Sequence, residues 1–414
     1  MKKISKTLAL ALAVLMLMGM TAIHTLAEEN RDTITVSVRI EGIKEPMYYN
    51  KTIEIEAGAT VENLLALVNG MDSTPDIVIT GGEWGAYVSS INDLTEGDYG
   101  TMSGWLYYVN GVDPVKSISF CELQDGDGVV CFFSDKFGVG IQFPFIDLSR
   151  VYSESVISFL SEDTVYDDEW NETIVLNPVA GASVLFNGIK YTTDENGEIK
   201  ITNKTGLAGL QSVLIERNDD ESGVPTVLRF APDFEIYVPF ADTPENAWFG
   251  IPVEFCVSTG FFRGADNVQN LFLPKNNMTR YQLVTVLGRI AGVDVDAPSD
   301  PWYAAARDWA LDSGIVNETW FEAGADASVT REMFIQLFYH TAWLAGSYDM
   351  DVKADITIAT DYDAINADYS EAVSWAVASG IIHGMDSGAL TINPKEEITR
   401  AQVCQMLFNY YSGQ

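Results

Sequence analysis

Between residues 33 and 40 the chain alternates polar and apolar side chains, Thr33-Ile34-Thr35-Val36-Ser37-Val38-Arg39-Ile40, the period of a strand with one buried face. A second strand is expected over 51–56, then a helix over about 61–68 that begins near Thr60. Aromatic-rich stretches at 84–88 and 104–109 continue the strand pattern, and Asn110-Gly111 is a hairpin signal. Several strands with one early helix predict an α+β, grasp-like domain over 28–137. Alternation after Gly104 sets Trp105 and Tyr107 on one face and Leu106 and Tyr108 on the other. One face must be core. Only part of the aromatic set Trp84, Tyr87, Trp105, Tyr107 and Tyr108 is therefore free to act as a ligand platform.

The pattern loosens over 138–170. This stretch reads as a linker with a short helix near 151–160, and it ends in the acidic run Asp167-Asp168-Glu169. Over 171–239 it becomes strand-like again, at 173–176, 182–186 and 199–201, with turn signals at Asn187-Gly188 and Asn196-Gly197. A small β-sandwich-like spacer is predicted there.

From residue 240 the apolar period is that of helices, and the chain repeats itself three times. Each unit holds an aromatic residue (Trp248, Trp302, Tyr369), an apolar helical run ending in Gly260, Gly314 or Gly380, and a Thr-Arg pair (Thr279-Arg280, Thr330-Arg331, Thr399-Arg400). The Gly-to-Thr intervals are 19, 16 and 19. Gly suits the left-handed position after a helix, and Thr suits the N-cap of the next one. Leu283, Val286, Leu287 and Ile290, and likewise Val403, Met406, Leu407 and Tyr410, then form one apolar stripe per helix. Three such stripes can close a shared core. The repeats are expected at 240–293, 294–348 and 349–414. An Arg in the first turn opposes the helix dipole. Its occurrence in all three units points to ligand contact, with a solvated helix start or a local salt bridge as the plainer reading.

This pattern resembles the S-layer homology (SLH) domain. The resemblance rests on Phe240-Ala241-Asp242, Gly260-Phe261-Phe262-Arg263-Gly264, Phe272-Leu273-Pro274 and the Thr-Arg pairs. The family's Thr-Arg-Ala-Glu tetrad appears as Thr279-Arg280-Tyr281-Gln282, Thr330-Arg331-Glu332-Met333 and Thr399-Arg400-Ala401-Gln402. It implies an all-α three-repeat pseudo-trimer that binds secondary cell-wall polysaccharide, often bearing pyruvate ketals, on Gram-positive-type cells. A ketal presents a carboxylate, which the planar forks of Arg280, Arg331 and Arg400 can meet. Sugar faces can stack on Trp248, Trp302 and Tyr369. The match adds Thr279, Thr330 and Thr399. It also adds Gly264 and Gly384, each four residues after the helix-ending Gly, where the second unit has Glu318. Last come the acids Asp242, Asp296 and Asp363, each six residues before its aromatic. An ordinary cap or solvated loop is the plainer reading of these acids.

The 28–137 module resembles the bacterial family related to the C-terminal domain of transcobalamin and intrinsic factor. The carrying residues are 87–91, the block Gly104-Trp105-Leu106-Tyr107-Tyr108-Val109-Asn110-Gly111, and the turn Asp125-Gly126-Asp127. That resemblance implies a binding module, with cobalamin the ligand of the animal relatives.

Charge narrows the field. The 414 residues hold 24 Lys+Arg against 59 Asp+Glu, a formal net charge of −35, which argues against nucleic acid and against a polybasic lipid contact. With 47% hydrophobic and 11% aromatic residues the chain can bury real cores, so it is not a disordered polymer. Lys2, Lys3 and Lys6 followed by the apolar run 8–20, with Thr25 and Ala27 at −3 and −1, predict a signal peptide over 1–27. No later segment is long and apolar enough to span a bilayer. In an exported protein Cys121 and Cys131 are either bridged or a pair of buried thiols, and Cys256 and Cys404 read as core.

No His-Glu-x-x-His, Gly-x-Ser-x-Gly or phosphate-cradling loop is present. Asp125-Gly126-Asp127-Gly128 lacks calcium-loop spacing and reads as a tight turn. No enzyme, cofactor or metal is expected. The sequence thus predicts an exported, wall-anchored surface protein that displays a module of unknown ligand. The alternatives are a corrinoid-like or glycan capture protein, and a secreted hydrolase with two carboxylates facing across a cleft.

Overall fold

A computed structural model describes residues 33–71, 75–136, 138, 141–166, 172–244, 246–324, 326–346, 351–382 and 389–413. The expected signal peptide 1–27, the acidic run 167–169, His383 and Gly384 lie outside them. The chain divides into two compact units, Met1–Asn203 with Gln211–Ile236, and Lys204–Leu210 with Tyr237–Gln414.

The first unit is largely β. Strands β1 (Thr33–Glu41) and β2 (Pro46–Glu56) form an antiparallel pair. Helix α1 (Val61–Asn69) follows, with β3 (Ile77–Gly82), β4 (Gly85–Ile91), β5 (Leu94–Thr95), β6 (Gly104–Val109) and β7 (Gly128–Ser134). One sheet has the order β2-β1-β7-β6, with β1 and β7 parallel; a second has the order β3-β4-β5. Thr60 caps α1 reciprocally with Asn63, and Val61, Leu64, Leu65 and Val68 bury its apolar stripe. Val224, far along the chain, is fully buried in this same core. Arg229 adds a buried clamp. Its guanidinium meets Glu41 Oε2 at 3.1 Å and donates to the carbonyls of Gly42, Ile43 and Lys44 at 3.2, 3.0 and 2.9 Å. The N-terminal sheet is therefore closed by residues beyond 137 as well as by its own.

The helix expected near 151–160 is not formed. The segment holds β8 (Pro144–Asp147) and β9 (Val156–Tyr166), which pair antiparallel. Ile157 and Phe159 are fully buried, and Val156 and Ile157 are β-branched. So short an apolar run fits either period, and the β-branched pair favours the strand. Beyond it lie β10 (Glu172–Pro178), β11 (Ser183–Phe186), β12 (Ile189–Thr192), β13 (Glu198–Lys200), β14 (Gly209–Asn218) and β15 (Pro225–Val227). Strand β9 also pairs with β10 and β13, while β11 lies between β12 and β14. Asn187 and Gly188, both at positive φ, turn the β11–β12 hairpin.

The second unit is helical: α2 (Gly250–Ser258), α3 (Arg280–Ile290), α4 (Ala304–Asp312), the single turn α5 (Glu318–Phe321), α6 (Arg331–Ala345), α7 (Ser370–Ala378) and α8 (Arg400–Ser412). Gly260, Gly314 and Gly380 take φ of +75°, +73° and +69° just past the first helix of each repeat. Thr279, Thr330 and Thr399 cap the second helices. Gln282 and Gln402 complete a capping box, while Met333, the counterpart in the middle repeat, offers no such acceptor.

The first helix of each repeat packs on the second helix of the repeat before it. Thus α4 lies on α3, α7 on α6, and α2 on α8, which brings the series back to its start. At the centre, Met278 N donates to Ile398 O (2.8 Å), Ile398 N to Val329 O (2.9 Å) and Val329 N to Met278 O (3.0 Å). All three side chains are buried in one apolar core with Phe262, Phe272, Phe334, Phe338 and Trp375.

Candidate functional site

The three Thr-Arg helices start beside this central ring, and the Arg400 and Arg280 side chains reach into a neighbouring repeat. Arg400 donates from Nε to Phe272 O (2.8 Å) and from Nη2 to Arg263 O (2.9 Å). Its guanidinium lies 4.4 Å from the Phe272 ring centre and 5.2 Å from that of Phe262. Arg280 donates from Nη1 to Trp320 O and stands 4.9 Å from the Trp320 ring. Arg331 is different. Its side chain makes no hydrogen bond among the described residues; its Nε is buried and unpartnered, as is that of Arg280, and the carboxylates of Glu396 and Asp361 act on its charge. Burial pulls both Arg331 and Arg400 below the ordinary guanidinium value. Next to Arg331, Glu332 is also buried. It accepts from Lys395 Nζ at 2.5 Å and from Asn366 N at 3.0 Å, tying the second repeat to the third.

The acids divide by role. Asp242 accepts from Phe272 N and Leu273 N, both at 2.8 Å, and so holds the loop beneath Arg400. In the third repeat the same task falls to Asp361, which accepts from Ile392 N (3.0 Å) and Asn393 N (2.7 Å). Leu273 and Asn393 share a left-handed backbone, φ +58° and +56°, so the two loops match residue for residue. Asp363 is exposed in a 3₁₀ turn two residues beyond. Asp296 instead receives Arg289 (2.7 and 3.1 Å) and Arg263 (2.9 Å), and the Arg289 bonds hold its carboxyl below the usual range.

The aromatic series shifts by one place. Trp248 and Trp302 are 60% and 57% exposed and precede the N-caps Phe249 and Tyr303. Tyr369 is itself the N-cap of α7, so it corresponds to Phe249 and Tyr303, and Asp368 stands where the exposed Trp would be. Aligned on the N-caps, the place of Asp242 and Asp296 falls at Tyr362 in the third repeat, so Asp361 lies one residue before it and Asp363 one after. Gly264 leaves room for Phe240: a Cβ there would come within 2.7 Å of its ring. Glu318, in the corresponding place of the second repeat, opens α5.

In the first unit the five aromatics do not share one surface. Trp105 is buried, donates from Nε1 to Leu94 O (2.9 Å) and meets Phe133 edge-on. Tyr107 donates to Lys116 O (2.8 Å), and Tyr108 stacks on Phe143 with centroids 4.2 Å apart. Trp84, at the β3–β4 tip, is 87% exposed, and Tyr87 is partly exposed with its hydroxyl on Glu96. Sequence reasoning missed Phe120, an exposed ring packed against Gly85, and Val115, an exposed β-branched residue at φ +50°. The carboxylates of Asp125 and Asp127 accept backbone N–H groups of Thr35 and Gln124. Cys121, Cys131, Cys256 and Cys404 are buried free thiols.

Comparison with known proteins places these features. The profile of a domain of unknown function (DUF4430) matches residues 65–134, and that of the S-layer homology domain matches 360–404. No curated protein matches the chain. Among solved structures, haptocorrin in complex with Cbi is 14% identical, with a TM-score of 0.24 and 27% of each chain covered. A "putative metal binding protein" from Ruminococcus gnavus is 17% identical, with a TM-score of 0.20, covering 24% of this chain and 96% of the other. The chain thus spans about a quarter of haptocorrin's length. Residues 360–404 are an S-layer homology domain, which associates this protein with the bacterial cell surface.

Proposed function

We propose that this is an exported surface protein held non-covalently on secondary cell-wall polysaccharide by three S-layer homology repeats arranged as a pseudo-trimer. The first unit, with its grasp-like sheet and β-sandwich-like spacer, is displayed outward. The observation that carries this reading is the closed series of Met278, Val329 and Ile398, which sets three Thr-Arg helix starts around one centre, with the Arg280 and Arg400 side chains each bonded to a carbonyl of a neighbouring repeat. Residues 240–414 hold 9 basic and 23 acidic residues, so attraction at long range cannot draw in an anionic polymer. Binding rests on local contacts, and hydrogen-bonding capacity is left over at Arg331 and at the Nε of Arg280, both unpartnered among the described residues. Exposed Trp248 and Trp302 supply apolar faces for sugar rings. Sedimentation of the mature chain with purified walls tests the reading. Retention on native walls and release from walls stripped of their polysaccharide is expected; equal partition onto both would overturn it.

A second reading concerns the displayed module. Trp84 and Tyr87 stay exposed on the hairpin β3–β4, which favours capture of a ring-shaped ligand, a corrinoid or a glycan, by stacking. Calorimetric titration of the mature chain with cobalamin and with surface glycans distinguishes them, and flat heats in both would remove this reading.

A further inference from the structure

Among the described residues, strand β10 is hydrogen-bonded on one side only. It pairs with β9 from Leu160 to Tyr166 and ends the order β10-β9-β13. On β9, β8 covers 158–161 and β13 covers 156–158, so from Glu162 outward β9 and β10 form a two-stranded ribbon. Both faces of β10 are open. Ile174 is 60% exposed and Leu176 53% on one face, and Val175 is 38% exposed on the other. Such a ribbon is marginal alone, and a bare edge rich in β-branched residues is a template for another strand.

We propose that β10 is a homotypic docking edge. A second copy of this chain adds its own β10 antiparallel, making a four-stranded sheet β9-β10-β10-β9. The strand's own sequence, Glu172-Thr173-Ile174-Val175-Leu176-Asn177-Pro178, selects this occupant. Centred on Val175, the register sets Val175 opposite Val175 and Ile174 opposite Leu176 twice over. Cross-strand apolar pairs of this kind stabilise sheets. It sets position 172, the strand's one acidic residue, opposite Pro178 and not opposite its own copy. That separation matters in a chain of net charge −35, whose copies repel at a distance. Association therefore strengthens with added salt, which screens the repulsion and leaves the apolar pairs intact.

Sedimentation velocity of the mature chain over a range of concentration and salt tests the proposal. A monomer–dimer shift that grows with both is expected. The doubly substituted Ile174→Lys/Leu176→Lys chain should remain monomeric with unchanged circular dichroism, since both side chains are exposed. Register is read with single cysteines, because the four native ones are buried. Val175→Cys should cross-link to a dimer under mild thiol oxidation, and Thr173→Cys, which faces Asn177, should not. A monomer under all conditions, an undiminished dimer in the double Lys variant, or equal cross-linking at 173 and 175 would each overturn it.

Discussion

Arg400 donates its Nε–H to the carbonyl of Phe272 while its guanidinium stands 4.4 Å from the centre of that same residue's ring. The last repeat is thereby fixed to the loop of the first. Arg400→Ala leaves the carbonyls of Phe272 and Arg263 unmet in a buried place, and we expect a loss of about 2–4 kcal/mol in urea unfolding. Arg400→Lys should recover less than half of it, because an ammonium cannot reproduce the planar pair of bonds. Arg331→Ala breaks no hydrogen bond among the described residues, so its stability cost should be about 1 kcal/mol or less. Wall binding should nevertheless fall severely. A large unfolding effect with binding intact would show that Arg331 is structural.

The central ring makes a second prediction. Met278, Val329 and Ile398 are buried at 0%, 0% and 1% exposure, and each touches the next through the backbone. Ile398→Ala should cost about 2–5 kcal/mol. The loss should appear in one unfolding transition of the helical unit, since no repeat keeps its neighbours once the ring opens. Two separated transitions in calorimetry would contradict this.

His340 makes stability depend on pH. Burial on α6 pushes its pKa below the ordinary 6.5. In the window between the depressed folded value and 6.5 the unfolded chain binds more protons than the folded one, so stability rises with pH there. It is fully present above 6.5 and declines as acid is added. Melting temperatures measured from about pH 7 down to about 5 should fall, and His340→Gln should flatten the part of that slope due to this group.

The two tryptophans of the first unit should separate cleanly. Trp105→Ala opens a buried site and removes the bond to Leu94, with an expected cost of about 3–5 kcal/mol. Trp84→Ala removes a side chain that is 87% exposed and should leave unfolding within about 0.5 kcal/mol of the parent. Any ligand that stacks at the β3–β4 tip would be lost in the second variant alone.

What could be read from the sequence was local. Thr60, Thr279, Thr330 and Thr399 announce their helices because a cap is made within four residues, and Gly260, Gly314 and Gly380 mark stops for the same reason. What crossed between repeats could not be read. Nothing near Arg400 in sequence shows that its fork is spent on Arg263 and Phe272, and nothing near Asp361 shows that it holds Ile392 and Asn393. Tyr369 misled because the interval to Gly380 is one residue shorter than from Trp248 to Gly260, and only the N-cap geometry reveals the slip. The stretch 151–160 misled because a short apolar run carries no decisive period.

The contact of α2 on α8 has a consequence for the gene as much as for the protein. A ring in which every member leans on the one before has no first or last member in space. The order of the repeats is set by where the polypeptide happens to be cut, not by the packing. New ends placed in an exposed loop between two repeats, with a short tether across the old gap, should give a rearranged chain that folds to the same ring.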